Sequence, residues 1–141
     1  MALDFQVTID CRSPHELADW WAEALGWAVE PQDEAFIRRM VAAGMAAESD
    51  TTTHRGRLVW RVGAALTPPE PGRPRVLFQA VPEPKTGKNR LHLDVRVGAE
   101  QREAEVARLV ALGATELWRG SQGPLQWVTL ADPEGNEFCL A

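Results

Sequence analysis

Six polar residues in this 141-residue chain carry side chains that can bind a ligand, hold a metal or move a proton. They are Gln6, Gln79, His92, Asp94, Glu137 and Cys139. An imidazole titrates near neutral pH, so His92 is the candidate for acid–base chemistry or metal binding. Asp94 and Glu137 stand two residues from His92 and Cys139, and side chains two apart on a strand share a face. We predict that the six residues line a pocket for a small molecule.

Each of these residues also has a purely structural interpretation. A histidine on a strand is often a hydrogen-bonded polar residue. Cys139 is more often a small buried apolar group than a nucleophile, because a reactive thiol needs a positively charged environment. Gln6 and Gln79 can equally be polar groups that face water. The other two histidines, His15 and His54, fall at a helix start and in a polar loop, where we expect surface positions.

The elements that position these residues follow from local patterns in the first half of the chain. Residues 3–10 alternate between apolar and polar, which is typical of a strand with one apolar face. Ser13, Pro14 and Glu16 then form a helix-start signal, and Gly26 is a stop signal. Further elements are expected as a helix between residues 33 and 44, a loop over 48–56, and strands over 58–66 and 76–81.

The second half repeats the same order of elements. Residues 91–97 alternate again, and a helix is expected from about residue 99 to Gly113. Short strands follow at 114–118, 125–131 and 136–141, with turns at 120–124 and 132–136. An internal duplication is supported by three short echoes in the same order, which pair residues 24–27 with 111–114, 58–60 with 125–127, and 78–79 with 138–139.

Four stretches give the sequence a resemblance to the vicinal oxygen chelate (glyoxalase/bleomycin resistance/dioxygenase) superfamily, and within it to bacterial glyoxalase-like domain proteins. They are CRSPHELADWWAEALGW (11–27), LFQAVPEPK (77–85), KNRLHLDV (88–95) and DPEGNEF (132–138). The resemblance implies an α+β fold in which two βαβββ modules form a cupped, partly open β-barrel-like sheet with flanking helices. It implies one domain over 1–141, with a first module over 1–84 that carries an inserted helix and loop, and a second over 85–141.

The resemblance also implies where a metal would be bound. In metal-dependent members, His, Gln or Glu side chains from the first and last strands of each module bind the ion. Mapped onto this chain, these positions are Gln6, Gln79, His92 and Cys139, with Cys139 where the family usually has glutamate. Two amides, one imidazole and one thiol suit neither Mg²⁺ or Mn²⁺ nor zinc. We therefore expect no functional metal site, and the sequence names no cofactor.

Three functions stay open on this basis. The first is a metal-free small-molecule-binding protein, similar to the drug-sequestering members, and the degraded ligand set favours it. The second is an enzyme of lyase, isomerase or dioxygenase type. Such an enzyme would use His92 as an acid or base, or would bind a non-standard metal through His92 with Asp94 or Glu137. The third is a protein-association module, and the family implies a homodimer.

Composition excludes several other classes. A formal net charge of −5 with 45% hydrophobic and 25% charged residues is typical of a compact globular chain, and there is no basic face for nucleic acid. No apolar run reaches the length of a membrane span and no leader pattern opens the chain, so we expect a cytoplasmic protein. P-loop, dinucleotide and Gly-x-Ser-x-Gly motifs are absent. Two cysteines are too few for a disulfide scaffold, and we expect both to be reduced.

Overall fold

The computed structural model describes all 141 residues, which form two compact units, Met1–Pro84 and Lys85–Ala141. Each unit contains one four-stranded mixed sheet, and the first strand of each sheet is followed by a helix. The α+β class and the two βαβββ-like modules expected from the sequence are therefore confirmed. Each sheet is open, with an edge strand on either side. None of the helices is long and apolar enough to cross a membrane.

The first unit contains six strands, two α-helices and a short 3₁₀ helix. These are β1 (Val7–Cys11), α1 (Pro14–Leu25), β2 (Ala28–Val29), α2 (Glu34–Ala42), the 3₁₀ helix (Glu48–Asp50), β3 (Thr51–His54), β4 (Arg57–Trp60), β5 (Gly63–Thr67) and β6 (Val76–Ala80). The sheet has the order β1-β6-β5-β2, in which β1 and β6 are parallel and the other neighbours are antiparallel. Strands β3 and β4 form a separate hairpin.

Helix α1 packs on β5 and β6 of this sheet. Pro14 occupies its first turn, where a missing N–H leaves no hydrogen bond unmade. Leu17, Trp20 and Trp21 recur on one side of the helix and are buried. Gly26 ends the helix with a φ of 69°, a left-handed conformation that glycine adopts without strain. The predicted start and end of α1 are thus confirmed.

The single strand expected over residues 58–66 is wrong, because the chain bends at Arg61 and Val62. The Arg61 guanidinium donates hydrogen bonds to the carbonyls of Ser49 and Thr51, at distances of 2.8 and 2.7 Å. As a result, β4 pairs with β3 while β5 joins the main sheet. The local pattern of residues 58–66 does not reveal such a bend, since the carbonyls that bind Arg61 lie ten or more positions earlier.

The second unit contains four strands and one helix. These are β7 (Asp94–Val95), α3 (Arg102–Leu112), β8 (Thr115–Gln122), β9 (Leu125–Ala131) and β10 (Glu137–Leu140). The sheet has the order β7-β10-β9-β8, in which β7 and β10 are parallel and the other neighbours antiparallel. Its largest fully buried side chains are Val128, Leu130, Phe138 and Leu140.

The two sheets have the same strand order, so residues that correspond in the proposed repeat should occupy the same strand position in both units. Phe78 of β6 and Phe138 of β10 are both fully buried and occupy the strand next to the first strand of their unit, so this echo is confirmed. The echo between residues 58–60 and 125–127 is wrong. By position in the sheet the counterpart of β9 is β5, whereas residues 58–60 belong to the β3–β4 hairpin.

The two first strands are shorter than the alternating patterns predict. The β1 ladder begins at Val7, opposite Val76 at the start of β6, and Leu3 and Phe5 before it are exposed. The β7 ladder contains only Asp94 and Val95. Strand β1 lies at a sheet edge, so the residues before Val7, which lie beyond the start of β6, have no ladder partner.

Candidate functional site

The second sheet has one apolar and one polar face, and the polar face holds four of the predicted site residues, His92, Asp94, Glu137 and Cys139. Cys139 of β10 lies opposite Asp94 of β7 on one side and Thr129 of β9 on the other. Residues directly opposite each other in a sheet point to the same face, so these three side chains share it. Thr129 was not predicted from the sequence, because only the strand register places it here.

His92, Asp94 and Cys139 form a compact cluster on this face. One ring nitrogen of His92, a carboxylate oxygen of Asp94 and Sγ of Cys139 all lie within 4.8 Å of one another. The Cys139 thiol is buried and lies 3.3 Å from Oγ1 of Thr129. The side chains of His92 and Asp94 are 39% and 61% exposed. The cluster therefore has a buried thiol at its base and two groups that solvent reaches at its rim.

Asp94 orients the ring of His92. Nδ1 of His92 lies 3.0 Å from Oδ1 of Asp94. An ionised carboxylate can only accept a hydrogen bond, so Nδ1 carries the proton in this contact. Nε2 is then left as the basic nitrogen, which can accept a proton or bind a ligand.

Glu137 lies on the polar face but is not a member of the cluster. Its carboxylate pairs with Nζ of Lys85 at 3.1 Å and accepts a hydrogen bond from the backbone N–H of Asn89 at 3.1 Å. Burial opposes the ionisation of Glu137, but the hydrogen bonds from Asn89 and Lys85 outweigh it and hold its pKa below the ordinary value. Glu137 thus ties down the basic loop over residues 85–90.

A turn anchored by Asp132 leads the chain into β10. Asp132 is buried, and its Oδ1 accepts hydrogen bonds from the backbone N–H groups of Glu134 and Asn136 at 2.9 and 3.0 Å. Asn136 in turn donates through Nδ2 to the same carboxylate. The DPEGN motif is therefore structural here, since it fixes the start of the strand that presents Cys139.

Two tryptophans share the polar face with the cluster. Trp127 is two residues from Thr129 on β9, a separation of about 6.8 Å along a strand. Trp118 of β8 lies opposite Thr129 and is 46% exposed, after a bulge between Glu116 and Trp118. The indole of Trp127 lies against Gly120, where a Cβ atom would come within 2.4 Å of the ring. This glycine therefore gives the indole room, and the two rings supply an apolar surface beside the polar cluster.

The two remaining predicted residues, Gln6 and Gln79, belong to the first unit. Gln6 precedes β1, is exposed, and accepts a hydrogen bond from Nε of Arg75 at 2.8 Å. Gln79 of β6 is exposed and lies opposite Asp10 of β1 and Gly63 of β5. No contact of either residue resembles the His92 cluster.

The strand register also corrects the equivalence between Gln6 and His92. Asp10 pairs with Gln79 in the first unit just as Asp94 pairs with Cys139 in the second. Counting back two residues makes Thr8 the counterpart of His92. The prediction of Gln6 at this position is therefore wrong.

An open cavity is also present in each unit. In the first unit a cavity of about 350 Å³ is lined by residues that include Gln32, Trp60, Arg75 and Leu77. In the second a cavity of about 280 Å³ is lined by residues that include Arg102, Glu103, Arg119 and Gln126. Trp127, which shares the polar face with the cluster, also lines this second cavity.

His15 departs from its expected surface position. It is 7% exposed, its Nε2 lies 2.7 Å from the carbonyl of Trp60, and its ring stacks on His54 with centroids 5.2 Å apart. His54 is half-buried and lies 2.7 Å from Asp19. These contacts join the β3–β4 hairpin to α1, so the two histidines are structural members of the first unit.

Comparisons with known proteins agree with this architecture. The chain matches the glyoxalase-like domain family over residues 6–141. Among curated proteins, none matches the chain in sequence. A solved structure similar in fold is that of a hypothetical protein from S. aureus, with a TM-score of 0.64, 11% identity, and coverage of 99% of this chain and 93% of that one.

Two further solved structures carry functional names. One is a glyoxalase/bleomycin resistance protein/dioxygenase family enzyme from Burkholderia phytofirmans PsJN, with a TM-score of 0.62, 16% identity, and coverage of 96% of this chain and 94% of that one. The other is a variant of the fosfomycin resistance protein FosX from Listeria monocytogenes, complexed with Mn(II) and 1S,2S-dihydroxypropylphosphonic acid. It has a TM-score of 0.66, 8% identity, and coverage of 99% and 91%. At these identities the similarity establishes the fold alone.

Proposed function

Because the chain belongs to the glyoxalase-like domain family of the vicinal oxygen chelate superfamily, we propose that it binds a small organic molecule on the polar face of its second sheet. The observation that carries the proposal is the cluster of His92, Asp94 and Cys139 within 4.8 Å. Glu137 and Asp132 form hydrogen bonds that hold loops in place, whereas Nε2 of His92 holds no loop. The cluster therefore offers a hydrogen-bonding group to a ligand without loss of a structural contact.

The two tryptophans indicate which chemical group of the ligand would lie beside the cluster. Trp118 and Trp127 lie beside the cluster on the same face. Small-molecule sites combine an apolar or aromatic wall with a few placed polar groups. The ligand that fits this face has an apolar or planar portion for the indoles and an oxygen-bearing group for His92.

Protein-observed ¹H–¹⁵N NMR with a fragment library tests this proposal, with fosfomycin and 1S,2S-dihydroxypropylphosphonic acid included as defined probes. Shift changes are expected at the backbone amides of residues 92–95, 127–129 and 137–140. His92→Ala should weaken binding of a hit by about 2- to 10-fold, because a hydrogen bond between neutral groups contributes about 0.5–1.5 kcal/mol. Leu91→Ala, a change at the exposed neighbouring residue, should leave affinity unchanged. Hits that map only to other surfaces would refute the proposal.

A second candidate function is catalysis by His92. It is favoured by the 3.0 Å contact between Nδ1 of His92 and Oδ1 of Asp94, which directs Nε2 away from Asp94 as a positioned base. Mass spectrometry of each binder after incubation separates the two functions. A product formed by the wild type and not by His92→Ala would establish an enzyme, whereas an unchanged binder would leave a binding protein.

A further inference from the structure

The polar face of the second sheet carries positive charge that its own carboxylates do not neutralise. Both carboxylates on the strands of this face are already engaged. Asp94 contacts His92 at 3.0 Å, and Glu137 pairs with Lys85 at 3.1 Å. Arg96 takes part in none of the ion pairs of the second unit, so its guanidinium is a cation without a counter-charge.

Arg96 lies on this face beside the cluster. Hydrogen bonds to β10 continue past the β7 ladder, because the N–H of Ala141 donates to the carbonyl of Val95 at 3.0 Å and the N–H of Val97 donates to the carbonyl of Ala141 at 2.8 Å. The chain is therefore extended through Arg96, and a residue two positions after Asp94 shares its face. The two Cα atoms are about 6.6 Å apart along the strand. Arg96 is exposed, so a ligand can reach it.

The basic loop over residues 85–90 adds two further cations. Glu137 holds this loop against the face through a hydrogen bond to its backbone. Lys88 and Arg90 are exposed on the loop, and neither forms an ion pair. Together with Arg96 they give this region an excess of positive charge in a chain whose formal net charge is −5. Such a local field attracts anions.

We propose that the ligand of the polar face is a small organic anion whose carboxylate or phosphonate is bound by Arg96. The inference rests on the proposed function and names the chemical class of its ligand. A guanidinium binds such a group through two parallel N–H···O hydrogen bonds. The side chain of Arg96 donates no hydrogen bond within the protein, so both bonds form without loss of an existing contact.

The guanidinium, and not the imidazole, is the partner of the negative charge. Nδ1 of His92 carries the proton that Asp94 accepts, so Nε2 presents a lone pair. A lone pair repels an anion but accepts a hydrogen bond from a hydroxyl group. Arg96 and His92 therefore bind different groups of one ligand.

The width of the sheet suits an anion that also has an aromatic ring. Strands β7 and β9 are separated by β10, a distance of about 10 Å. The indole of Trp127 belongs to β9 and Arg96 follows β7 on the same face. One ring against the indole and the long side chain of Arg96 together cover this distance.

Benzoate and benzamide test the inference on the wild type, because they have nearly the same shape and differ in charge. In ¹H–¹⁵N NMR titrations at 0.1 M salt, benzoate should shift the amides of residues 93–97, 127–129 and 137–140, and benzamide should bind at least about 5-fold more weakly. Raising the salt to 1 M should weaken benzoate binding and leave benzamide binding unchanged, since the Debye length falls from about 10 Å to about 3 Å.

Variants identify the residue that binds the anion. Arg96→Gln should weaken benzoate binding about 10-fold, the lower end for a hydrogen bond to a charged group, because Arg96 is exposed. Benzamide binding should not change. Arg96→Lys should give an intermediate affinity, since it keeps the charge and loses the two-pronged geometry. Arg57→Gln is the matched control, because it removes the same charge from an exposed position in the first unit.

Phenylphosphonate distinguishes the two kinds of anion. Tighter binding than benzoate would assign the site to phosphonates or phosphates, and weaker binding would assign it to carboxylates. Either result supports an anion site if Arg96→Gln weakens the binding.

Three results would overturn the inference. They are equal binding of benzamide and benzoate, benzoate binding that Arg96→Gln leaves unchanged, and an equal loss of affinity in Arg57→Gln. Neutral fragments that still map to the polar face would support the proposed function in each case, so its failure and the failure of the anion site are distinct.

Discussion

Substitution of Gly120 by alanine should destabilise the second unit through a clash with Trp127. The two residues lie opposite each other in β8 and β9, and an ideal Cβ at Gly120 would lie 2.4 Å from two indole carbons. The φ of Gly120 is not in the left-handed region, so alanine carries no backbone strain there. Steric overlap with the indole is therefore the effect that decides the outcome.

The magnitude follows from the distance. The ring must retreat by about 1 Å, from 2.4 Å to the 3.4 Å of ordinary contact. Overpacking of this kind costs about 1–3 kcal/mol. When Trp127 is alanine the clash is gone, and Gly120→Ala should then stabilise by about 0.4–1 kcal/mol because it restricts the unfolded chain. The sign of the effect thus depends on the residue at 127, with a coupling of about 1.4–4 kcal/mol between the two sites.

Urea unfolding of the wild type, both single variants and the double variant measures this coupling. Gly87→Ala is the matched control, because a Cβ there meets nothing within 4 Å and its φ is not left-handed. Gly120→Ala should lower the unfolding midpoint relative to Gly87→Ala only when Trp127 is present. An equal cost of Gly120→Ala in both backgrounds would show that Trp127 does not lie against Gly120.

Three further predictions concern stability. Burial opposes the ionisation of Glu137, but its hydrogen bonds lower its pKa in the folded state below the ordinary 4.5. The stabilisation from these hydrogen bonds is therefore complete above the pKa of the unfolded state, and it is lost as the pH falls through the pKa of the folded state. Glu137→Gln should cost about 1 kcal/mol at pH 7 and nothing in strong acid, as urea unfolding at several pH values will show. His15→Ala should lower the urea midpoint more than His54→Ala, because His15 is buried and His54 only half-buried; an equal effect would contradict the burial. Asp132→Ala should cost about 2–3 kcal/mol in thermal unfolding and Asp132→Asn clearly less, since an amide oxygen can still accept both backbone N–H groups of the turn.

Local signals in the sequence predicted the helices well, because those signals act over a few residues. Pro14 and Gly26 bound α1 as expected, and their effects on φ and on hydrogen bonding do not depend on the rest of the chain. The duplicated order of elements and the buried pair Phe78 and Phe138 were also readable from the pattern. The bend at Arg61 was not, since it depends on hydrogen bonds to a distant loop.

The site was only partly predictable, because register depends on loop lengths. Two residues separate Cys11 from α1, whereas six separate Val95 from α3. Counting back from the helix-ending glycines therefore gave Gln6 rather than Thr8 as the counterpart of His92. The pairing of His92 with Asp94 was accessible from their spacing of two, but Thr129 and Trp118 join the face only through antiparallel register.

Matched positions in the two units explain why the proposed site lies in the second. Phe78 and Phe138 are both buried because each unit needs apolar burial next to its first strand. The polar faces carry no such requirement, and two of their three matched side chains differ. Corresponding positions on those faces are Thr8 and His92, Asp10 and Asp94, and Gln79 and Cys139. The aspartate is common to both units, so it cannot by itself define a site. The imidazole and the thiol are what distinguish the second face, because they alone add a basic nitrogen and a soft metal ligand.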